Sequence, residues 1–250
     1  MVDHWYSDRF LAGFYDPFCV GRQDFDFYLP LVMSAGSVLD VGCGTGALLR
    51  RARQSGHAGR LCGLDPAGAM LEYARGQTDV DWVLGDLSSV GWEREFDLVV
   101  MTGHAFQVLV SDDDLRVSLA AVRRALTDDG RFVFDIRHPA VREWEGWTAR
   151  DAVRLSNPAG EVVRFWREAE LPVTGDVVRF RAVFAGAGWD GVRVSRGAVR
   201  YLDPGRLSAF LREAGLVVAE QFGDWSGRPL TDRSSEIITV AVRGPGGGAE

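Results

Sequence analysis

Three glycines stand at alternate positions, Gly42, Gly44 and Gly46, directly after the apolar run "SVLDV". Because glycine has no Cβ atom, a loop rich in it lets a ligand come close to the backbone. The helix expected after the loop adds free N–H groups at its first turn. The spacing alone leaves the ligand open, since "GCGTGA" also approaches the dinucleotide pattern G-x-G-x-x-G/A. These residues form a candidate binding loop for a nucleotide or a cofactor.

Acidic residues follow the next two predicted strands. Asp65 ends the segment "RLCGLD", where a carboxylate can accept both hydroxyls of a ribose. Asp86 and Leu87 follow "VDWVLG", so a carboxylate and an apolar neighbour could face the amine and the ring of an adenine. With the glycine loop, these positions predict an adenosine-containing ligand at the carboxyl ends of the strands.

Short apolar strands alternate with helical segments around these motifs. The strand-like segments are "SVLDVG", "RLCGLD", "VDWVLGD", "FDLVVM" and "GRFVFDI". This alternation predicts a parallel sheet covered by helices on both faces. After residue 150, three period-two stretches beginning "EVVRFW", "DVVRFR" and "GVRVSR" predict an antiparallel insertion, and a helix with two more strands follows.

Charge and composition exclude several classes of protein. The formal net charge of −7 argues against nucleic acid as the main partner, because phosphate binding needs a basic face. All 28 basic residues are arginine. A lysine Schiff base, an internal pyridoxal-phosphate aldimine and a Walker A lysine are therefore not available.

The cellular location is predicted from what the sequence lacks. No run of apolar residues is long enough for a membrane span, and the first residues lack the basic and apolar regions of a signal peptide. The three cysteines, Cys19, Cys43 and Cys62, lack metal-ligand spacing. We therefore expect a reduced, cytoplasmic protein with no membrane partner and no metal site.

The run "VLDVGCGTG", followed in order by Asp65, "GDL" and "FDLVVM", resembles the class I S-adenosylmethionine-dependent methyltransferases, and specifically their small-molecule members. The resemblance covers residues 36–137 through its motifs and 202–243 through the pattern of elements. It implies an α/β fold with a doubly wound, Rossmann-like sheet of seven strands, mostly parallel with the last strand antiparallel. It also implies S-adenosyl-L-methionine as the cofactor and S-adenosyl-L-homocysteine as the product.

The resemblance also suggests how the chain is divided. The expected parts are an N-terminal helical cap (1–35), a Rossmann-like cofactor-binding core (36–149 and 201–243), an antiparallel β insertion on the substrate or dimer side (150–200) and a disordered tail (244–250).

The cofactor contacts are carried over position by position. The resemblance implies that Tyr15 lies over the cofactor carboxylate and that Asp65 binds the ribose. The methionine part would be surrounded by Asp40, Gly42, Gly44 and Gly46. The adenine would be bordered by Met70, Asp86 and Leu87, and the sulfur by Thr102 and Gly103. The ring of Tyr15 could instead pack a helix onto the sheet.

The acceptor is expected at the same edge of the sheet. His104 follows the fourth strand and His138 the fifth, which makes both candidate catalytic bases for an acceptor that must lose a proton. Aromatic walls with a few polar groups suit a small organic acceptor, and guanidinium binds a carboxylate through two hydrogen bonds. The candidate acceptor-binding residues are Arg137, Trp144, Trp225 and Arg228. The expected partner is a small molecule methylated at O or N, and the apolar face of the insertion could also form a homodimer contact.

Other functions are compatible with the same motifs. An NAD-dependent oxidoreductase would use the same glycines and Asp65, and a non-catalytic regulatory or scaffold protein that binds S-adenosylmethionine would need no base. Methylation of DNA bases is disfavoured, because "MTGHAFQ" after the fourth strand contains neither Pro-Cys nor an Asn/Asp-Pro-Pro-Tyr/Phe motif.

Overall fold

The computed structural model describes residues 3–244 of the chain. Its strands are β1 (Ser37–Val41), β2 (Arg60–Asp65), β3 (Asp81–Leu84), β4 (Phe96–Met101), β5 (Leu126–Arg137), β6 (Val153–Ser156), β7 (Val162–Ala169), β8 (Val177–Gly186), β9 (Arg193–Arg200), β10 (Leu216–Phe222) and β11 (Glu236–Arg243). Its helices are α1 (His4–Ser7), α2 (Arg9–Ala12), α3 (Tyr15–Phe18), α4 (Asp24–Ser34), α5 (Ala47–Gln54), α6 (Gly68–Ala74), α7 (Asp112–Ala125) and α8 (Pro204–Glu213). None of these helices is long and apolar enough to cross a membrane.

Seven strands form the central sheet, in the order β10-β11-β5-β4-β1-β2-β3. β1 runs parallel to β2 and β4, and β4 runs parallel to β5, whereas β11 is antiparallel to both of its neighbours. The predicted fold class, a doubly wound and mostly parallel sheet of seven strands with the last one antiparallel, is confirmed. Strand order reverses between β1 and β4, so the loops after these two strands open on one crevice.

Helices cover both faces of this sheet. Neighbouring residues of β1 point to opposite faces. Val38 belongs to the same buried cluster as Leu48 of α5, and Leu39 belongs to a second cluster with Leu119 of α7 and Leu211 of α8. Burial on both faces explains why the strands read as continuous apolar runs in the sequence.

A second sheet, of four antiparallel strands in the order β6-β7-β8-β9, lies between β5 and α8 in the chain. Phe165 and Phe180 on one of its faces are buried with Trp5 of α1, while Arg179 and Arg181 on the other face are exposed. The N-terminal helices therefore pack against the apolar face of the insertion sheet.

The insertion sheet has one strand more than the three predicted. β6 pairs with β7, with Leu155 opposite Val163. Of the four residues of β6 only Leu155 is buried. A four-residue strand with a single buried residue shows no alternation of apolar and polar residues that could be recognised in the sequence. The predicted number of three strands in the insertion was therefore wrong.

The N-terminal helices are also held over the glycine loop. The Thr45 hydroxyl donates to Asp16 Oδ1 at 2.6 Å, and Arg50 Nη2 of α5 lies 3.4 Å from Asp16 Oδ2. α3 is thereby fixed beside the mouth of β1.

The helix after β2, α6, begins only at Gly68, because Ala67 is extended and donates its N–H to the Asp65 carboxylate at 2.8 Å. In the tail, Gly244 donates its N–H to Gly215 O at 2.9 Å. The rest of the predicted disordered segment, 245–250, lies outside the described residues.

Candidate active site

The three loop glycines all adopt left-handed backbone conformations, with φ of +71° at Gly42, +56° at Gly44 and +73° at Gly46. Residues with a Cβ atom rarely adopt this region. A Cβ on Gly44 would also lie 3.2 Å from Met70 Cε. The loop after β1 therefore depends on glycine for its path as well as for space.

Gly46 has a different neighbour from the other two glycines. A Cβ there would lie 2.3 Å from Cη2 of Trp82, whose indole also covers Gly63. The Trp82 ring is fixed by Nε1, which donates to Gln77 O at 2.8 Å. The missing side chain of Gly46 thus makes room for a protein side chain rather than for the ligand expected from the sequence.

Asp65, at the carboxyl end of β2, joins the two turns that border the crevice. Its Oδ2 accepts the N–H of Gly44, and its Oδ1 accepts the N–H of Ala67, both at 2.8 Å. Burial raises the pKa of Asp65, while these two backbone hydrogen bonds lower it. Each carboxylate oxygen keeps a second lone pair, which a ribose hydroxyl can use.

A small cavity opens beside the glycine loop and under the N-terminal helices. It is lined by residues that include Tyr15, Arg22, Phe25, Asp40, Gly42 and Thr102. Asp40 Oδ1 is buried there and has no hydrogen-bond partner among residues 3–244. Burial raises the pKa of Asp40 to about 8. Since buried polar atoms are nearly always hydrogen-bonded, the orphaned oxygen fits a ligand that brings a donor, such as an ammonium group.

Arg22 brings a cation to the same cavity. Its Nε donates to Asp24 Oδ1 at 2.8 Å, and its guanidinium lies 4.4 Å from the centroid of the Phe25 ring. Nη1 has no hydrogen-bond partner in the described part of the chain, so it can donate to a carboxylate. Sequence reasoning missed Arg22, because the segment "VGRQDF" carries no motif.

The loop after β4 places Thr102 and Gly103 at this cavity and His104 beyond it. Gly103 and His104 both have positive φ, +63° and +66°. Non-glycine residues uncommonly adopt such a conformation, and His104 is one of the few described residues that do. Arg22 Nη2 lies 3.1 Å from where a Cβ on Gly103 would be. The loop therefore approaches Arg22 of the cofactor cavity at Gly103.

His104 belongs to a partly buried polar cluster, which we call the His104 network (Tyr28, His104, Asp135 and Glu236). His104 Nε2 lies 2.9 Å from Glu236 Oε2 and 3.6 Å from Asp135 Oδ2. Asp135 Oδ2 accepts the His104 N–H at 2.8 Å, and its Oδ1 accepts the Tyr28 hydroxyl at 2.6 Å. Side chains from α4, β5 and β11 and from the loop after β4 thus meet at one point.

Burial sets the protonation of this network. It raises the pKa of Glu236 to about 8, with repulsion from Asp135 adding to the effect. It also raises the pKa of Asp135 to about 6, against hydrogen bonds that lower it. Burial and then the positive charge of Arg137 lower the pKa of His104 well below its usual value. Near neutral pH the imidazole is therefore neutral, and a proton is held on the Glu236 side of the pair.

The same three side chains have the types of metal ligands, and one ligand atom from each lies within 4.8 Å of the others. However, both oxygens of Asp135 already accept hydrogen bonds, and His104 Nε2 pairs with Glu236. We therefore interpret the cluster as a proton-holding network.

On the adenine side, the predicted residues border the end of β3 and α6. Met70 is buried with Ala67 and against Tyr15. Leu87 is buried, and Asp86 is exposed and accepts from the N–H and the hydroxyl of Ser88. Hydrogen bonds from Ser88 lower the pKa of Asp86, so it is ionised and could also accept from an adenine amine.

Three of the residues expected at the acceptor or as a base make contacts within the protein. His138 is buried, and its Nδ1 accepts the Ala140 N–H at 3.2 Å. Trp225 packs against Tyr28, with ring centroids 6.0 Å apart. Arg228 is 78% exposed and pairs with Asp224 of its own loop. Their roles at the acceptor or as a base stay predictions.

Arg137 and Trp144 lie nearer to the expected region. Arg137 Nε lies 2.7 Å from Glu143 Oε1, and its charge acts on His104. Trp144 is buried, with its ring 4.4 Å from that of Tyr201. Arg137 therefore lies within electrostatic reach of the His104 network, whereas Trp144 packs with Tyr201.

Comparison with known proteins finds methyltransferases. Residues 38–130 match the family model described as a methyltransferase domain. The chain is 27% identical over 214 residues to the cypemycin N-terminal methyltransferase of a Streptomyces species, a match that covers 83% of each chain. With the confirmed fold, these similarities support a class I S-adenosylmethionine-dependent methyltransferase.

Solved structures with the same architecture include two enzymes that act on sugars. The sugar N-methyltransferase KedS8 from Streptoalloteichus is 26% identical with a TM-score of 0.68, over 92% of this chain and 93% of that one. CalS10, an amino pentose methyltransferase from Micromonospora echinaspora solved with S-adenosylmethionine bound, is 23% identical with a TM-score of 0.62. Its likeness covers 97% of this chain and 98% of that chain and concerns the fold alone.

The raised pKa of Glu236 predicts a pH-dependent stability. Between its ordinary pKa near 4.5 and about 8, the unfolded chain releases a proton that the folded chain keeps. Stability of the free protein should therefore fall as pH rises from 5 to 8, by at most about 1.4 kcal/mol per pH unit from this group. Urea denaturation at several pH values measures the slope, which Glu236→Gln should make shallower.

A matched control is Glu213→Gln, which changes a carboxyl that is 54% exposed. This variant should keep the parent slope. Parallel slopes for the parent and Glu236→Gln would contradict the assigned protonation of Glu236.

Proposed function

We propose that this protein transfers a methyl group from S-adenosylmethionine to an amine nitrogen of a small-molecule acceptor. The observation that carries the proposal is the His104 network, which lies beside the cofactor cavity with two carboxyl groups and a neutral imidazole. The relatives named above include N-methyltransferases, which supports nitrogen as the acceptor atom.

The proposed cofactor contacts use polar groups that have no protein partner or still have a lone pair. Asp40 would receive the ammonium group of the methionine part and Arg22 its carboxylate, with the Tyr15 ring at the side. Asp65 would accept the two ribose hydroxyls, and Asp86 and Leu87 would border the adenine. S-adenosylmethionine supplies, when bound, an electrophilic methyl group on a sulfonium.

The residues of the His104 network would prepare the acceptor. A protonated amine is attracted by Asp135 and Glu236, and its positive charge favours the ionised form of Glu236. Glu236 releases its own proton to solvent as the ammonium group approaches. The ionised carboxylate can then accept the ammonium proton at Oε2, where His104 Nε2 shares it. The amine is left with a free lone pair, which is what an in-line displacement requires.

The lowered pKa of His104 distinguishes nitrogen from oxygen acceptors. A base whose pKa is lowered removes a proton from an alkyl hydroxyl poorly, because base strength falls with pKa. An ammonium group, with a pKa far nearer to neutrality, needs much less help. The network therefore suits amines better than alcohols.

We infer that the N-terminal helical cap and the antiparallel β insertion also help to bind the acceptor. Residues 3–35 and 150–200, which pack on one another, would close the crevice on the acceptor side and restrict it to small molecules. The aromatic side chains of both parts would form the walls of that space.

Cofactor binding should release a proton from Asp40. At pH 7 its carboxyl, with a pKa of about 8, is mostly protonated in the free protein, and a bound ammonium group favours the ionised form. Calorimetric titration of S-adenosylhomocysteine in buffers of different ionisation enthalpy should therefore detect release of close to one proton. Asp40→Asn should abolish the release and weaken binding by at least ten-fold, whereas Asp128→Asn at the surface should do neither.

NAD titrated in the same way should give no saturable binding. Binding of NAD without binding of S-adenosylhomocysteine would overturn the proposal and favour an oxidoreductase.

Methyl transfer should follow the chemistry of the acceptor. With radiolabelled S-adenosylmethionine and pairs of amines and alcohols of the same skeleton, we expect label on the amines. His104→Asn and Glu236→Gln should lower kcat by about 100-fold, as for loss of a general base, with cofactor affinity unchanged. His4→Asn, which changes a largely exposed histidine, is the control.

Preferential labelling of the alcohols would contradict the proposed acceptor atom. Tight cofactor binding with no transfer to any acceptor would favour a non-catalytic protein that binds S-adenosylmethionine.

A further inference from the structure

Arg167 stands on the apolar face of the insertion sheet. Along β7, Val163 and Phe165 point to the same side as Arg167 and are buried, and the partner of Arg167 on β8 is the buried Ala182. A charged residue is costly at such a position unless something compensates the charge. Arg164, on the opposite face of the same strand, is exposed to solvent.

Two aromatic rings hold the Arg167 guanidinium. Its Cζ lies 4.2 Å from the centroid of the Trp147 ring and 5.6 Å from that of Phe18. Rings in this position fix the plane of the guanidinium and attract its charge. They leave its N–H groups, which lie in that plane, without an acceptor.

No carboxylate or carbonyl supplies that acceptor within residues 3–244, where Arg167 makes neither a hydrogen bond nor an ion pair. The other two arginines near the crevice differ in this respect, because Arg22 pairs with Asp24 and Arg137 with Glu143. Burial also lowers the pKa of Arg167, the sign of a cation short of compensation. Arg167 is therefore arranged to receive an anion from outside the chain.

The position of Arg167 connects it to the acceptor site. Its charge contributes to the lowered pKa of His104, so the guanidinium lies within electrostatic reach of the His104 network. Phe18 belongs to α3, the helix whose Tyr15 lines the cofactor cavity. An acceptor whose amine meets Glu236 could thus extend toward Arg167.

We propose that Arg167 binds an anionic group of the acceptor, a carboxylate or a phosphate, so that the substrate is an amine with a negative charge at its other end. This inference rests on the proposed function and narrows its acceptor class to zwitterionic amines, such as amino acids or phosphorylated amines. The fixed fork of a guanidinium matches two oxygens of either anion.

The test measures anion binding apart from turnover. The protein is first saturated with S-adenosylhomocysteine, which occupies the cofactor site and with it Arg22. Phenylacetate, phenyl phosphate and the neutral phenylacetamide are then titrated by calorimetry. At least one of the anions should bind ten-fold or more tightly than the amide, and which anion prefers the site distinguishes carboxylate from phosphate acceptors.

Arg167→Gln should remove this preference, and Arg164→Gln should keep it. Arg164 is the matched control because it lies on the same strand and near a tryptophan ring, with 5.9 Å from its Cζ to the centroid of Trp166. S-adenosylhomocysteine should bind both variants as it binds the parent, which also establishes that they are folded.

The outcomes separate this inference from the proposed function. Three results would overturn the inference without affecting the proposed cofactor binding. The anions and the amide could bind equally well, neither anion could bind, or the preference for anions could survive Arg167→Gln. Failure of the parent protein to bind S-adenosylhomocysteine would overturn the proposed function itself.

Discussion

The carboxylate of Asp65 holds together the two turns on which the rest of the site depends. It accepts the N–H of Gly44, in the loop after β1, and the N–H of Ala67, at the start of α6. Those turns leave neighbouring strands of the sheet at the same edge, and their backbone would otherwise have no fixed relation. Hydrogen bonds to a charged acceptor are roughly twice as strong as those between neutral groups. A single carboxylate can therefore hold both turns in place. The glycines then allow the loop to take the left-handed path that the carboxylate requires.

Near this loop, several buried or half-buried polar and ionisable groups have only some of their hydrogen-bond or charge partners within the protein. Asp40 has a buried oxygen without a partner, and Arg22 has an unused nitrogen at the same cavity. Beyond the loop after β4, Glu236 and Asp135 are kept from full ionisation by burial. Burying such groups without partners lowers the stability of the free protein. A ligand of complementary charge supplies the missing partners and restores that stability. Preorganised polar groups of this kind are how enzymes favour a reaction without rearranging.

Much of the fold follows from local patterns in the sequence. The alternation of apolar strands and helices gives the seven-stranded sheet, because each element is buried in a way that its own residues encode. β6 was missed because a four-residue strand with one buried side chain has no such pattern. The glycine loop was recognised, but the place of Gly46 against Trp82 depends on a residue of another strand, which spacing does not reveal.

The site could be predicted only where one segment carries it. Asp40, the glycines and Asp65 are read from short motifs, whereas the His104 network joins residues 31 and 132 positions apart in sequence. His104 was named a candidate base, but Asp135 and Glu236 were not, since nothing local marks a residue of β5 or β11 as its partner. Arg22 and Arg167 were missed for the same reason. Their proposed roles depend on the residues that contact them in the folded protein. Arg22 contacts Asp24 and Phe25, and Arg167 lies against two aromatic rings.

The central claim is that the crevice after β1 and β2 receives the amino-acid end of S-adenosylmethionine at Asp40 and its ribose at Asp65. A crystal structure of the protein with S-adenosylhomocysteine tests this directly. The account predicts the ligand ammonium within about 3 Å of Asp40 Oδ1 and both ribose hydroxyls at a similar distance from the Asp65 carboxylate. A ligand bound elsewhere, or one reversed so that its adenine lies on Asp40, would contradict it.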